Sequence, residues 1–305
     1  MKEHKVKFNF NKKQKDRIFI CLMLLPSIIT WIVFYFYVNI DAFTLAFRVP
    51  FGSEETWGFG NFTRIFEEFS HSSSDIRIAL KNTLLYFVAG QFISFPLSFV
   101  LSFFIYKKIG GYKVFRVIFY LPSIVAGTVL VVLFKYLIND MTGPIALLYN
   151  SMTGERFPAL LYSSATATST ILFYSITFGL GGSLVLHGGA MSAIDPGLIE
   201  AAQIDGASMF TEAIRIVVPM MWPTLSVQIL FNFIGVFGSS GPILAFMPTA
   251  EYETYTLSYW LYRQVQYFGS YNYSSAVGMM MTFISLPIVL TVRWLLDRGF
   301  TDNMQ

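Results

Sequence analysis

Charge is scarce in this chain. Only 13% of its 305 residues are Asp, Glu, Lys or Arg, about half the share usual in a soluble domain. Hydrophobic residues make up 54% and the mean hydropathy is +0.56. That balance excludes an ordinary soluble domain and points to a chain that crosses a membrane several times. Cysteine is nearly absent. Cys21 is alone, inside an apolar run, so an internal disulfide is excluded. The three histidines, His4, His71 and His187, are scattered without metal-ligand spacing, and no metal site is expected. His187, at a span end beside glycines, reads as an interfacial histidine. The phosphate-cradling pattern G-x-x-x-x-G-K-[ST] is missing, so the chain carries no nucleotide site of that kind. No catalytic constellation is present and no nucleic-acid partner is expected. No ionisable residue falls in the middle of an apolar run, which argues against a charged solute crossing here.

What is present is a series of long apolar segments. Six spans are predicted, at 18–38, 83–106, 114–138, 166–187, 223–246 and 274–294, each long enough for about 30 Å of helix. The first, "IFICLMLLPSIITWIVFYFYV", exceeds the apolar core of a signal peptide and reads as a retained span. The fourth is rich in small and hydroxyl residues, which suit close helix packing. Lys and Arg fall 14 to 6 on the two sides of this arrangement, with Lys135 near a span end and able to reach outward. The larger group includes Lys2, Lys5 and Lys7 of the N-terminal segment, Lys107, Lys108, Lys113 and Arg116 after the second span, and Arg293 and Arg298 near the end. Both termini are therefore expected in the cytoplasm, with a basic segment 1–17, a membrane domain 18–295 and a tail 296–305.

The loop 188–222, between spans four and five, is on the cytoplasmic side in this reading. Asp195 and Pro196 are a helix start and Gly206 a stop. A helix of about ten residues is marginal alone in water, so it needs a partner surface. It presents Glu200, Gln203 and Asp205, an acidic face that suits a protein socket better than anionic lipid. Ser208 is read as the cap of a second helix ending near Pro219, with Phe210, Ile214, Val217 and Val218 on its apolar face and Glu212 and Arg215 on the polar side.

Glu200-Ala201-Ala202, then Asp205-Gly206-Ala207, then Ile216 and Pro219 resemble the "EAA loop" of binding-protein-dependent ABC importer permeases. "NFTRIF", "ALKNTLLYFV", "FRVIFYLPSIVAGTVLVVLFKYLIND" and "ETYTLSYWLYRQVQYFGSYNYSSAVGMMM" extend the likeness over most of residues 18–295, toward the first permease of maltose-type sugar importers. Val218 stands where the loop more often has Leu. The resemblance implies an all-α six-span bundle whose loop, through Glu200, Ala201, Ala202, Asp205, Gly206, Ala207 and Pro219, docks on a cytoplasmic ATPase. It further implies a second homologous permease in a heterodimer, two ATP-binding subunits that hold the ATP and Mg, an extracytoplasmic solute-binding protein, surrounding membrane lipid and a prokaryotic cell membrane. No cofactor is expected on the chain itself.

Neutral polar and aromatic side chains are the candidates for a solute pathway. Gln91 and Ser94 lie in span two. Gln228 and Asn232, four apart on one helix face, lie in span five with Phe231 and Phe237. Amides pair with hydroxyls in both directions and aromatic faces suit sugar rings, although the same amides could instead bond between helices. The expected function is carbohydrate uptake, with a non-sugar solute such as a polyamine or peptide, or a membrane-embedded enzyme, as the alternatives.

Overall fold

A computed structural model describes residues 11–51, 54–71, 74–246 and 253–301. His4, Lys2, Lys5, Lys7 and the last four residues of the tail lie outside them. Among the described residues five helices are long and apolar enough to cross a membrane, and six if one bent pair counts as a single span. The chain divides into two compact units.

The first unit holds residues 1–65 and 270–279. Its helix α1 (Lys12–Phe47) outruns the predicted 18–38 at both ends. Asn11 and Gln14 close a reciprocal cap at its start, which satisfies backbone donors that have no partner within the helix. No glycine or further proline follows Pro26 until Pro50, so Asn39 and Asp41 ride on helix rather than ending it. The backbone widens to a π-helical turn over Trp31–Tyr37, just beyond Pro26. A short hairpin follows, β1 (Arg48–Phe51) paired antiparallel with β2 (Glu54–Trp57) and Arg48 opposite Trp57. The all-helical expectation missed this hairpin. Buried Asn61, at the start of α2 (Gly60–Ser70), donates from Nδ2 to the carbonyls of Ala46 and Arg48 at 3.0 and 2.9 Å.

The second unit, residues 66–269 and 280–305, contains α3 (Asp75–Tyr106), α4 (Tyr112–Ile124) and α5 (Gly127–Leu137), and α6 (Pro144–Thr153). Next come α7 (Ala167–Ser192), α8 (Pro196–Ile204) and α9 (Met209–Ile234). They are followed by α10 (Ile243–Phe246) and α11 (Leu257–Phe268). Helix α12 (Tyr271–Thr301) is the last of the described helices. Small residues do bring α7 close to its neighbours: a Cβ on Gly181 would lie 2.6 Å from that of Ser123 on α4, and Ser102 of α3 donates to the Leu184 carbonyl at 3.2 Å. An aromatic knot of Phe134, Tyr174 and Phe246 ties α5, α7 and α10, with ring centroids 4.9–5.9 Å apart.

Two predicted spans are corrected. The segment 114–138 is not one helix, because α4 and α5 bend by 111°. Pro122 removes a backbone donor, Val125 and Ala126 are extended at ψ 140° and 131°, and Gly127 restarts the helix. The fifth span, predicted at 223–246, is displaced toward the N-terminus. Helix α9 stops at Ile234, where the run Gly235 to Pro242 with its three glycines turns the chain, and Gly241 takes φ +56°. Phe237 therefore lies in a turn. The missing length comes from the other end, because the helix capped by Ser208 does not stop near Pro219. It continues through a π-helical turn at Ala213–Val217 into Val218–Ile234. A proline ring clashes with the carbonyl four residues back, and widening the helix just before it relieves that clash. The same pairing occurs in α3, where a π turn at Gly90–Ser94 precedes Pro96.

Candidate functional site

The loop between α7 and α9 is built from local signals. Asp195 Oδ1 accepts from the Gly197 N–H at 2.9 Å, and Pro196 needs no donor in the first turn. At the far end Gly206 adopts φ +78°. Its N–H reaches the Gln203 carbonyl at 3.1 Å while the Ala207 N–H reaches that of Ala202 at 2.9 Å. This is the paired Schellman closure. Ile199 is the one side chain that α8 buries, and it seats among Phe103, Met191, Val217 and Met221. Glu200, Ala201, Gln203 and Asp205 are exposed, Ala202 and Ala207 half-buried. Ile204, 86% exposed, stands at the tip. Pro219 is exposed along α9.

The apolar face assigned to residues 210–218 is only partly buried. Val217 is enclosed, but Phe210 and Ile214 face outward. Glu212, placed on the polar side by its spacing, is instead buried. Both its carboxylate oxygens accept from the Lys107 ammonium, at 2.9 and 2.7 Å. Lys107 ends α3, so an ion pair with side chains only 17% and 2% exposed joins the α3–α4 turn to the first turn of α9.

A cavity of about 370 Å³ opens among α3, α7, α9 and the turn after it. Gln91, Phe231 and Asn232 line it, with Ser94, Ser175 and Tyr86. Asn232 Nδ2 donates to Gln91 Oε1 at 2.9 Å, leaving further donor and acceptor capacity on both amides. Gln91 sits in the π-helical turn ahead of Pro96. No charged residue is among the lining side chains. The Tyr86 hydroxyl is buried and has no hydrogen-bond partner among the described residues. Gln228 and Phe237 do not line this cavity. Gln228 lies one turn before Asn232, with its amide nitrogen buried on the side of His187.

His187 is not interfacial. It is fully buried in α7, with Nδ1 3.2 Å from Ser98 Oγ and its ring edge-on to Phe95 and Phe99 at 5.3 and 6.1 Å.

A family profile described as "Binding-protein-dependent transport system inner membrane component" matches residues 111–298. The chain belongs to this family. Among curated relatives of this inner membrane component is the maltose/maltodextrin transport system permease protein MalF of Shigella flexneri. It is 26% identical over 187 residues, 60% of this chain but only 36% of that protein's length. The polygalacturonan/rhamnogalacturonan transport system permease protein YteP of Bacillus subtilis is 27% identical over 300 residues, covering 92% and 91% of the two chains. Among solved structures, a bacterial ABC transporter involved in the import of the acidic polysaccharide alginate has a chain that superimposes with TM-score 0.80 at 25% identity. That match covers 94% of this chain and 98% of that one.

The inner membrane component also holds a clamp that its sequence did not disclose. Asn82 Nδ2 donates to the carbonyls of Glu253 and Tyr255 at 2.7 and 3.1 Å, and Thr83 Oγ1 accepts from the Leu257 N–H at 2.8 Å. Tyr255 donates to Asp75 Oδ1 at 2.8 Å. Burial, and then the bonded Asp75, push its phenol well above the ordinary range. These bonds hold the segment before α11 against α3, beside the cavity wall at Thr83 and Thr256. Their signal was the "KNT" triplet at the head of the second span, which spacing alone does not distinguish from solvated residues. Tyr86 and Ser175 carry no mark of the cavity in the sequence, because each is ordinary within an apolar helix.

Proposed function

We propose that the chain is a membrane subunit of an ATP-driven importer that takes up a neutral carbohydrate handed over by an extracytoplasmic binding protein. The observation that carries this reading is the uncharged cavity in which two amides, several hydroxyls and aromatic faces converge. Neutral hydroxyl-rich solutes satisfy such groups in both directions, whereas an unpaired solute charge there would meet a large desolvation cost. The short exposed helix α8, held by Ile199 and closed by Gly206, supports a coupling role for Glu200, Ala201, Ala202, Asp205 and Ala207. In that role it fits a groove on a separate ATP-binding subunit that carries the ATP and Mg. One such chain supplies half a pathway, so a second permease, two ATPase subunits and the binding protein complete the assembly. Both termini lie in the cytoplasm in this arrangement.

The test is uptake into vesicles containing the reconstituted assembly, with neutral oligosaccharides, polyamines and peptides as competitors. Competition by neutral oligosaccharides alone is expected. Asn232→Leu, which removes a neutral hydrogen-bonding group contributing about 0.5–1.5 kcal/mol, then weakens apparent solute affinity by several-fold to tenfold. Unchanged affinity with a lowered melting temperature makes the Asn232–Gln91 bond purely a helix tie. Competition by polyamines or peptides removes the carbohydrate reading.

A further inference from the structure

We propose that the α3–α4 hairpin carries a binding site for one anionic phospholipid, its phosphate between Lys108 and Arg116 and one acyl chain in the adjoining apolar groove. Two neighbouring concavities support this. The first, about 520 Å³, is lined by Lys108, Tyr112, Arg116 and Tyr120, with Ser102 and Ser192 among its other walls, and it reaches Pro196 at the start of α8. Among the described residues neither Lys108 nor Arg116 forms an ion pair. This contrasts with Lys107 next door, whose charge is matched by Glu212. The second concavity, about 330 Å³, is lined almost wholly by apolar side chains, Leu101, Phe104, Phe115 and Phe119 among them. Ile105 and Tyr112 border both.

The spacing along α4 produces this division. Tyr112, Arg116 and Tyr120 recur every fourth residue on one face, and Phe115 and Phe119 on the next. A cationic, hydroxyl-bearing lobe therefore lies against an apolar one. A site for a soluble anion has no use for the second lobe, and a neutral lipid has no use for the first. Basic pockets between membrane helices are suited to anionic headgroups.

The backbone at Lys108 points the same way. Helix α3 closes with the Lys108 N–H on the Ile105 carbonyl at 3.1 Å and the Ile109 N–H on that of Phe104 at 3.4 Å. Lys108 thus occupies the left-handed position, φ +52°, where glycine is strain-free. Helix α8 does have glycine at the equivalent place. A lysine held there sacrifices backbone stability for a cation aimed at this cavity.

The experiment is native mass spectrometry of the full chain, purified in detergent with any co-purifying subunits. The probes are phosphatidylglycerol, phosphatidylcholine and inorganic phosphate. One phosphatidylglycerol per chain is expected to survive where phosphatidylcholine is lost. Lys108→Gln with Arg116→Gln is expected to weaken its retention about thirtyfold, from two surface cations lost. The charge-preserving Lys108→Arg with Arg116→Lys is expected to keep the lipid, which separates loss of the site from loss of the fold. Equal retention of phosphatidylcholine by the unaltered chain overturns the proposal without any variant. So does undiminished phosphatidylglycerol on the Gln variant, or displacement of the lipid by millimolar phosphate.

Discussion

Glu212 and Lys107 illustrate how one pair outweighs a local pattern. Helical spacing puts Glu212 beside Arg215 on a polar face, yet the carboxylate turns inward to an ammonium 105 residues away in sequence. Removing one member of a buried pair leaves an uncompensated charge and costs about 3–5 kcal/mol. Lys107 retains some exposure, which places Lys107→Met near the lower end of that range. We expect this variant to lower the melting temperature of the assembled protein, and Lys107→Met with Glu212→Met to recover most of the loss. A single variant that melts like the parent denies the pair any stabilising role. The partner of Glu212 was illegible in the sequence because nothing near residue 212 encodes a distant lysine. The Asn232–Gln91 bond was hidden for the same reason, although each amide was noticeable by itself in an apolar span.

Helix α8 was legible because every signal that makes it is local. Asp195 and Pro196 fix its start and Gly206 its end, as their residue types predict, through the Asp195–Gly197 bond and the closure at Gly206 and Ala207. A Cβ on Gly206 meets no atom within 4 Å, so the strain of a substitution there comes only from the left-handed backbone, about 1–2 kcal/mol. Gly206→Val is therefore expected to insert and assemble normally while uptake coupled to ATP hydrolysis is lost. Undiminished uptake in vesicles by this variant would separate α8 from coupling. The limits of α9 depart from the apolar pattern because two effects oppose it. Glycines ended the helix early inside a hydrophobic run, and the π turn carried it past a proline that usually marks a boundary. The bend between α4 and α5 was hidden likewise, since apolarity is continuous across Val125 and Ala126 while the backbone is not.

At the scale of the molecule, the 14-to-6 asymmetry of Lys and Arg predicts the orientation of the chain, and that expectation is testable directly. Cysteines at exposed Glu155 and Tyr267 are expected to react with impermeant thiol reagents added to intact cells, in a background where Cys21 is replaced by Ser. One at Ser208 is expected to react only after the cells are opened. Labelling of Ser208→Cys from outside reverses the orientation and detaches α8 from any cytoplasmic subunit. The continuity of α9 has a consequence of its own. Met209–Ile234 is one 26-residue rod, about 39 Å long at 1.5 Å per residue, with the capped turn at one end and Asn232 near the other. A rod of that kind is also a screw: each residue advances the phase by about 100°. Deleting one residue between Met221 and Gln228 leaves both ends intact but turns Asn232 out of angular register with Ser208. Inserting seven residues, close to two full turns, restores the phase while lengthening the rod by about 10 Å. Angular register and length along α9 are thus separable quantities.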